Sequence, residues 1–416
     1  MTLFLIGIFL SMQIIAEEQK IVSVSHVQRQ KIGIRVAYLG AAAERVAPII
    51  ASDLAISGQC AVTTVEYAHV PKKKREITEL INDNILFLLI LESHRDTIEY
   101  RFYDVTTGMM LPKCGGRCTV NNAQTASCAH HIADKLWQQL MGTASPFATR
   151  LAYAKEVPYK KGISIKHLCV ADFDGNNELV MVRTPTISIA PRWGGTSDAP
   201  LLFYSEYTNT NVRLIVVDQN KKRKVVTRYD GVTMHFTPNH DGSRHAFSSS
   251  RGDGNSQIYL LEQGELEQCT HDDAMNACPV FNHDGSILYY CSDVKTEVPH
   301  LMAYSFATNK HTPLPIKGYC VSPAYNKSRK LLAYSKMIDG YLQICVYNPA
   351  TQQEQQLTYD AGNHEDPTWS PCGNFLAYAH ETGVNSRIRL HCYATGHETY
   401  VTPHGTKCNY PAWSLW

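Results

Sequence analysis

The sequence has almost no excess of charge of either sign, with 39 Lys and Arg against 38 Asp and Glu in 416 residues. Binding to a nucleic-acid backbone or to an anionic membrane surface requires an excess of basic residues, so neither is expected. Long apolar runs are missing as well. The best of them, residues 3–15, is shorter than the ~20 residues that a membrane-spanning helix needs.

That apolar run is interpreted as part of a signal peptide. It ends at Ala16, a small residue suited to cleavage, and Glu17 and Glu18 begin a polar stretch directly afterwards. No cysteine lies beside this point, so a lipoprotein anchor is not expected. The sequence therefore predicts export, with residues 1–16 as the signal peptide.

The motifs of common hydrolases and nucleotide enzymes are absent. The sequence contains no Gly-x-Ser-x-Gly nucleophile elbow and no phosphate-binding loop. His364, His380 and His397 are each followed by Glu, but none has the second His that completes a zinc-protease helix. The 18 histidines form no cluster with metal-ligand spacing. We therefore expect no enzyme activity, no cofactor and no metal site.

Cysteine, in contrast, is abundant. Thirteen is a high number for an exported protein, and an odd number leaves at least one unpaired. Cys114 and Cys118, with Cys128 further on, could hold a metal ion or form a disulfide, although this spacing is not one of the strong zinc patterns. Buried thiols together with a few disulfides are the favoured interpretation, and no connectivity is assigned.

An even internal repeat indicates the fold class. Aromatic residues recur at intervals of 43 to 45 residues, at Trp193, Phe236, Phe281, Tyr325, Trp369 and Trp413. After each come a polar turn, an apolar strand and further strands, of which the last is short and lies close to a Thr. Asp241 and Asp284 each precede a Gly that supplies the positive φ of a tight hairpin turn. Repeats of ~40–45 residues with several short strands are typical of propeller blades.

The number of blades follows from closure of the ring. The last repeat stops one strand into a blade, and matching strands are available earlier, at residues 150–154 and 165–172. Residues 148–416 make six units of about 45 residues each. The C-terminal strand is therefore expected to complete the blade that residues 150–154 begin, which leaves no open sheet edge.

The region before the repeats has a different pattern. Apolar strands are predicted at residues 33–38, 84–91 and 98–105, and helices at residues 45–57 and 126–141, with a Gly after each helix. This mixture predicts a small α/β domain over residues 28–142, which residues 143–147 link to the repeats. The predicted fold is an all-β six-bladed propeller over residues 148–416, preceded by this small α/β domain.

The order of these parts resembles the TolB family of periplasmic propeller proteins in diderm bacteria. Four stretches carry the resemblance along the chain: ASDLAISG at residues 51–58, RLAY at 150–153, ADFDGNN at 171–177 and PAWS at 411–414. The chain departs from the family in its cysteine content and in repeats that match the pattern poorly, such as the one at Trp193. The resemblance implies a monomeric, non-catalytic adaptor of the Tol–Pal system in the periplasm.

The resemblance also implies two partners and the segment that binds each. The inner-membrane protein TolA is expected to bind the extended segment 17–27, at Glu17, Glu18, Gln19, Lys20, Ile21, Val22, Ser23 and Val24. This stretch is β-prone and could add as a strand to another protein's sheet, or it could be an ordinary first strand of the α/β domain. The peptidoglycan-associated lipoprotein Pal is expected at the propeller mouth, at Asp230, Thr233, Asn276, Ala277, Cys278, His364, Glu365, Asp366, Asn409 and Tyr410.

The function implied is to couple the inner membrane to Pal, and so to support outer-membrane integrity and constriction during division. Other outer-membrane proteins are further expected partners. Glu365 and Asp366 could instead be solvated turn residues before Pro367. The alternative function is that of an envelope enzyme built on a propeller, or of a propeller that binds peptides or sugars.

Overall fold

The computed structural model describes residues 31–71, 73–120, 124–159, 162–227, 231–251, 254–296 and 298–415. The predicted signal peptide, the predicted TolA contacts Glu17 to Val24 and the predicted Pal contact Asp230 lie outside these ranges. Among the helices of the described ranges, none combines the length and the apolar character that crossing a membrane requires.

A five-stranded mixed sheet with helices forms the first part of the chain. Its strands are β1 (Ile32–Leu39), β2 (Cys60–Glu66), β3 (Phe87–His94), β4 (Thr97–Asp104) and β5 (Met109–Thr119). Its helices are α1 (Ala41–Ala55), α2 (Lys74–Thr78) and α3 (Thr125–Met141), and a 3-10 turn covers Glu79–Asp83. The strand order is β2-β1-β3-β4-β5, in which β1 pairs in parallel with both β2 and β3.

Helices cover both faces of this sheet because β1 is apolar on both sides. Ile34 and Val36 lie in one core with α1 and α3, and Ala37 packs with Ile77 of α2 on the other face. The helix α3 ends at Gly142, whose φ of 66° is the left-handed stop expected there. The small α/β region predicted from the sequence is therefore observed.

Two strands of this sheet were not predicted. The strand β2 is mostly exposed, and β5 contains Pro112, Gly115 and Gly116, which weaken the sequence pattern of a strand and are tolerated at a sheet edge. The predicted strand at 84–91 begins later, at Phe87, because Asn84 has a φ of 59° and closes the 3-10 turn.

The rest of the chain forms six four-stranded sheets, as predicted. The first three strands are β6 (Arg150–Pro158), β7 (Ser164–Asp172) and β8 (Leu179–Val182). The next five sheets each use four consecutive strands and are called blades one to five. Blade one contains β9 (Ser188–Gly195), β10 (Pro200–Tyr207), β11 (Val212–Asp218) and β12 (Arg223–Val225), and blade two contains β13 (Thr233–Pro238), β14 (Arg244–Ser249), β15 (Gln257–Glu262) and β16 (Glu265–Gln268). Blade three contains β17 (Asn276–Phe281), β18 (Ile287–Ser292), β19 (His300–Ser305) and β20 (Lys310–Pro313), blade four contains β21 (Cys320–Asn326), β22 (Leu331–Ile338), β23 (Tyr341–Asn348) and β24 (Gln353–Gln356), and blade five contains β25 (Asn363–Trp369), β26 (Phe375–Thr382), β27 (Asn385–Cys392) and β28 (Glu398–Tyr400).

The last strand, β29 (Cys408–Trp413), closes the ring by pairing with β6. Ala412 lies opposite Ala152, and Trp413 lies opposite Leu151. The sheet β29-β6-β7-β8 is called the closing blade. The predicted six-bladed propeller, with its C-terminal strand completing an early blade, is confirmed.

The Thr near the outer strand has the same role in four blades. Its Oγ1 accepts a hydrogen bond of 2.8 to 3.1 Å from a backbone N–H of the third strand. The acceptor and donor residues are Thr227 and Leu214, Thr270 and Ile258, Thr358 and Ile344, and Thr402 and Ile388. The hydroxyl continues the sheet pairing where the short fourth strand ends.

One residue of the predicted repeat is misplaced. Phe281 pairs with Leu288 in blade three, and the residue at the matching position of blade two is Pro238, which pairs with His245. Phe236 lies two positions earlier and stacks on Phe203, with ring centroids 3.9 Å apart. The aromatic predicted at Phe236 is therefore buried between blades one and two, but it does not occupy the repeat position.

The two parts of the chain share one core. The mouth denotes the end of the central channel at which the innermost strands β9, β13, β17, β21, β25 and β29 begin, and the base denotes the opposite end. Near the base, Trp137 of α3 packs on Phe147 and Phe375, with ring centroids 5.5 and 6.3 Å away. Phe147 is fully buried, so the segment that links the two parts is packed between them.

Candidate functional site

The central channel is built from one repeated backbone feature. Each innermost strand contains a bulge with one residue at a φ of 51 to 56°, and these residues are Ala190, His235, Cys278, Ser322, Asp366 and Tyr410. The next residue is Pro in five of the six strands. Proline has no N–H to donate, which suits a position where strand pairing is interrupted. The repeat therefore places six different side chains around one channel.

These side chains line a cavity of about 490 Å³ that extends from the bulges to the turns at the base. Within it, the Ser322 hydroxyl donates a hydrogen bond of 2.7 Å to Asp366 Oδ1. Burial raises the pKa of Asp366, and the Ser322 bond and the charge of Arg192 act in the opposite direction. Burial lowers the pKa of Arg192, which Asp366 and Cys278 oppose. The centre of the channel thus contains charges of both signs held close together.

A cysteine and a histidine face each other beside this pair. The hydrogen bond between Cys291 and the Cys278 sulfur lowers the pKa of Cys278 well below its ordinary value, and His235 and Arg192 add to this against the effect of burial. His235 Nδ1 lies 3.0 Å from Ser248 Oγ, whose hydroxyl donates to the carbonyl of Met234. Because the hydroxyl has only one proton, His235 Nδ1 must carry the hydrogen of that contact.

Toward the mouth, the ionisable groups become partly exposed. Burial, together with the neighbouring Asp366 and Glu381, raises the pKa of Glu365 to about 7 against the opposing effect of Lys166. The Lys166 ammonium also lies 5.4 Å from the centre of the Tyr410 ring. The mouth therefore presents a carboxyl group and an ammonium group close to one aromatic ring.

The predicted Pal contacts that the structure describes meet at this mouth, but not all of them reach its surface. Ala277, Cys278, Glu365, Asp366 and Tyr410 are partly exposed. Thr233, Asn276, His364 and Asn409 are buried. Contact with Pal at these four positions stays a prediction, although their side chains are buried in the structure.

The buried asparagines illustrate why these side chains turn inward. Asn276 Nδ2 donates to Gln257 Oε1 and Asp272 Oδ1, at 3.1 and 2.7 Å. Asn409 Nδ2 donates to Glu381 Oε1 at 2.6 Å. Both amides tie the start of an innermost strand to the preceding blade, so they support the mouth without being exposed on it.

A rim of exposed apolar side chains surrounds the mouth and was not predicted. These residues lie in the turns and strand ends at that end of the ring, with exposed fractions of 36 to 78%: Tyr159, Ile163, Ile187, Tyr207, Val232, Met275, Val298, Met337, Tyr341, Tyr359 and Val384. They come from different turns and strand ends, so no single stretch of the sequence marks them. These exposed apolar side chains at one end of the ring are candidate contacts for a protein partner.

Comparison with known families identifies the ring. A family model described as the TolB beta propeller domain matches residues 137–416, which include all six blades. The chain belongs to the TolB β-propeller family. The resemblance inferred from the sequence is therefore confirmed.

Two relatives show how far the TolB likeness extends. The "Tol-Pal system protein TolB" of Blochmanniella floridana is 25% identical over 210 residues, which cover 48% of this chain and 43% of that protein. The protein of the same name in Haemophilus influenzae (strain ATCC 51907 / DSM 11121 / KW20 / Rd) is 26% identical over 211 residues, 47% of this chain and 48% of that protein. The chain spans about half the length of these curated relatives.

A solved TolB structure extends the likeness in fold to nearly the whole chain. The crystal structure of TolB from Acinetobacter baumannii matches with a TM-score of 0.80, covering 94% of this chain and 98% of that one. The sequence identity of 19% makes this a likeness of fold. The match includes the α/β part as well as the propeller.

This TolB-family chain also contains a cluster that the sequence analysis missed. Asp360, His364 and His380 each place one oxygen or nitrogen atom within 4.8 Å of the others, at the mouth end of blade five. These histidines have no metal-ligand spacing in the sequence, which is why the cluster was not expected. His364 and His380 are far apart in sequence but lie directly opposite each other on β25 and β26, with stacked rings 4.3 Å apart. Strand pairing, rather than residue spacing, is the signal that could have found them.

Proposed function

We propose that this chain is a non-catalytic periplasmic adaptor of a Tol–Pal system. In this proposal Pal docks on the propeller mouth and TolA binds the segment that contains Glu17 to Val24. The adaptor would then couple the inner membrane to Pal and support outer-membrane integrity and constriction during division. Membership of the TolB family and the names of the related proteins support the assignment to this system.

The observation that carries the proposal is the apolar rim around a concave, polar mouth. A protein surface that docks there would bury apolar side chains at the rim and would meet Glu365, Lys166 and Tyr410 at the centre. In protein interfaces a few central residues provide most of the binding energy, and the contacts around them exclude water. Such a surface favours a protein partner over a small substrate.

The rim provides the most direct test of Pal docking. Met275→Asp and Val384→Asp each place a carboxylate on the rim, at side chains that are 53% and 78% exposed. We expect the double variant to bind purified Pal at least ~30-fold more weakly in calorimetry, a loss of ~2 kcal/mol. Because both side chains are exposed, the melting temperature should not change.

A matched control lies at the other end of the ring. Leu179 is 49% exposed, and it begins β8 at the base. Leu179→Asp introduces the same chemistry away from the mouth and should leave Pal binding unchanged. Equal losses in the rim and base variants would contradict docking at the mouth, because the effect of the added carboxylate would then not depend on its position. Peptide or sugar binding at the mouth without any binding of Pal would favour the alternative function.

The TolA part of the proposal has a separate test. The segment from Glu17 to Val24 is β-prone, and strand addition would give main-chain hydrogen bonds from this segment alone. Deleting residues 17–25 from the mature chain should weaken TolA binding at least tenfold and leave Pal binding and the melting temperature as they are. Unchanged affinity for TolA in the truncated chain would contradict this part, whatever the result for Pal.

A further inference from the structure

We propose that Asp360, His364 and His380 form a binding site for Zn²⁺ at the mouth end of blade five. The proposal concerns a ligand site in its own right and stands independently of the proposed function. It rests on the positions of three side chains, on the hydrogen bonds that orient them, and on one unfavourable contact that a cation would remove.

The contact in question joins His364 and Asp360. His364 is fully buried, and its Nδ1 lies 3.2 Å from the carbonyl oxygen of Leu342. A carbonyl can only accept, so Nδ1 carries the hydrogen and Nε2 has a lone pair. That lone pair lies 3.1 Å from Asp360 Oδ1. Among the described residues, His364 Nε2 has no hydrogen-bond partner.

Two acceptor atoms at this separation repel each other unless a proton or a cation lies between them. An imidazolium at His364 would be fully buried and stacked on the His380 ring at 4.3 Å, with no solvent to stabilise its charge. The neutral imidazole is the form that binds a metal ion. A divalent cation between Nε2 and Oδ1 would turn the repulsive contact into two coordinate bonds.

The third side chain, His380, has a hydrogen-bond partner at each of its two ring nitrogens. His380 Nδ1 lies 2.6 Å from the Tyr400 hydroxyl, and Nε2 lies 3.0 Å from the carbonyl oxygen of Ala361 and 3.9 Å from Asp360 Oδ2. Without a metal, Nε2 carries the hydrogen and donates it to Ala361. With a metal, the proton moves to Nδ1 and is donated to Tyr400, since a hydroxyl can accept as well as donate. The total number of protons does not change.

The spacing and the donor types fit zinc. Bonds of 2.0–2.1 Å in a tetrahedral site place neighbouring ligand atoms about 3.3 Å apart, close to the 3.1 Å between His364 Nε2 and Asp360 Oδ1. One ligand atom from each of the three residues lies within 4.8 Å of the others. Two imidazoles and one carboxylate form a known type of zinc ligand set, whereas Ca²⁺ and Mg²⁺ prefer oxygen ligands alone. Asp360 is half-exposed and gives an ion a path from solvent.

The neighbouring backbone and charges are compatible with a cation. Gly362 has a φ of 107°, and a Cβ on it would lie 2.9 Å from His380 Nε2, so any other residue would crowd the site. Arg389 lies 2.7 Å from Asp360 Oδ2 and holds the carboxylate with Oδ1 toward His364. Its positive charge is offset by Glu398 at 2.8 Å. One net negative charge is therefore left at the site for the incoming cation.

The test uses the whole chain after treatment with a chelator and dialysis. Titration with ZnCl₂ in a calorimeter should show one site per chain, with a dissociation constant below about 1 µM. Asp360→Asn keeps the shape of a partly exposed side chain and should weaken this site by at least ~100-fold, as should His380→Gln, because a missing ligand costs more than a missing second-shell partner. CaCl₂ at equal concentration should not compete.

Two controls separate this site from the thirteen cysteines, which could also bind zinc. His404→Gln and Asp339→Asn change exposed residues elsewhere in the ring and should leave the affinity unchanged. Zn²⁺ should raise the melting temperature of the parent chain but not that of Asp360→Asn. The proposal is overturned if no stoichiometric site is found, or if Asp360→Asn folds and binds Zn²⁺ as tightly as the parent chain.

Discussion

Replacing Trp413 by Ala is expected to lower the free energy of unfolding by ~3–5 kcal/mol, the range for a large aromatic removed from a core. Trp413 is 3% exposed and lies in the largest apolar cluster of the chain. Its indole N–H donates a hydrogen bond of 2.6 Å to Thr149 Oγ1. The substitution therefore leaves a cavity and removes one donor to Thr149 Oγ1, whose hydroxyl still donates to the carbonyl of Pro146.

Denaturant unfolding would measure this loss, and the neighbouring Leu415→Ala is the control. Leu415 is 44% exposed, so its truncation should change the unfolding free energy by less than ~0.5 kcal/mol. Trp413 also lies opposite Leu151 in the sheet where β29 pairs with β6. Amide exchange in β6 should therefore become faster in Trp413→Ala. A loss below ~1 kcal/mol would contradict the closing role of this residue.

Comparison with Trp369→Ala separates the effect of weakening the strand that closes the ring from the effect of losing a buried aromatic side chain. Trp369 is 7% exposed and donates its indole N–H to the carbonyl of Ala324, in the neighbouring blade. It should also lower the unfolding free energy, but amide exchange in β6 should remain as in the parent chain. Equal exchange in both variants would indicate that the closing strand has no special role.

The propeller could be predicted from sequence because its repeat depends on positions that are buried in every blade. Trp369 and Trp413 end innermost strands, and the strand that contains Trp413 closes the ring by pairing with β6. The misplaced Phe236 shows the limit of that reasoning. Two apolar residues separated by one position look alike in sequence, but the bulge at His235 determines which of them enters the repeat position.

The sequence predicts which loops form the mouth, but not which of their side chains are exposed. Met275 and Asn276 are adjacent, yet Met275 is 53% exposed and Asn276 is fully buried. Successive residues of a strand point to opposite faces. An error of one position in the prediction therefore replaces an exposed residue by a buried one. The pair His364 and His380 was missed for a related reason, because strand register brings it together and register cannot be read from spacing alone.

The bulge residues of the innermost strands show what the repeat leaves variable. Their backbone is the same in all six strands, whereas their side chains range from Ala190 to Asp366 and Tyr410. The frame of the channel is therefore set by backbone pairing and by proline. Its chemistry is set by single residues that no repeat constrains, which is why the network of Cys278, His235 and Arg192 could not be predicted.

His130 connects the α/β part to the propeller through charge. Its Nδ1 lies 2.8 Å from Asp53 Oδ2 in α1, and its Nε2 lies 3.6 Å from Asp172 Oδ2 at the end of β7. Burial alone would lower the pKa of His130, but hydrogen bonds to Asp172 and Asp53 raise it to about 10. The interaction lowers the pKa of Asp172 despite burial, whereas burial raises the pKa of Asp53 to about 7. The imidazolium is therefore held mainly by the carboxylate of Asp172 at slightly acidic pH.

The effect of pH on stability follows from these directions. Between its ordinary value of 6.5 and about 10, His130 keeps a proton in the folded chain that it loses in the unfolded chain. Its stabilising contribution is therefore fully present below pH 6.5 and is lost as the pH rises through 10. The raised pKa of Asp53 acts in the same direction, because keeping this buried group ionised above pH 7 costs free energy.

His130→Gln should therefore lower the free energy of unfolding by ~3 kcal/mol at pH 6, because it leaves buried carboxyl groups without their cation. The difference from the parent chain should shrink as the pH is raised toward 9.5. His131→Gln, an exposed neighbour on the same helix, should have no effect at either pH. Denaturant unfolding of the three proteins at both pH values is sufficient, since titration of the buried thiols is common to all and cancels in the difference. If the loss in His130→Gln is the same at pH 6 and pH 9.5, packing rather than charge holds the two parts together at this residue.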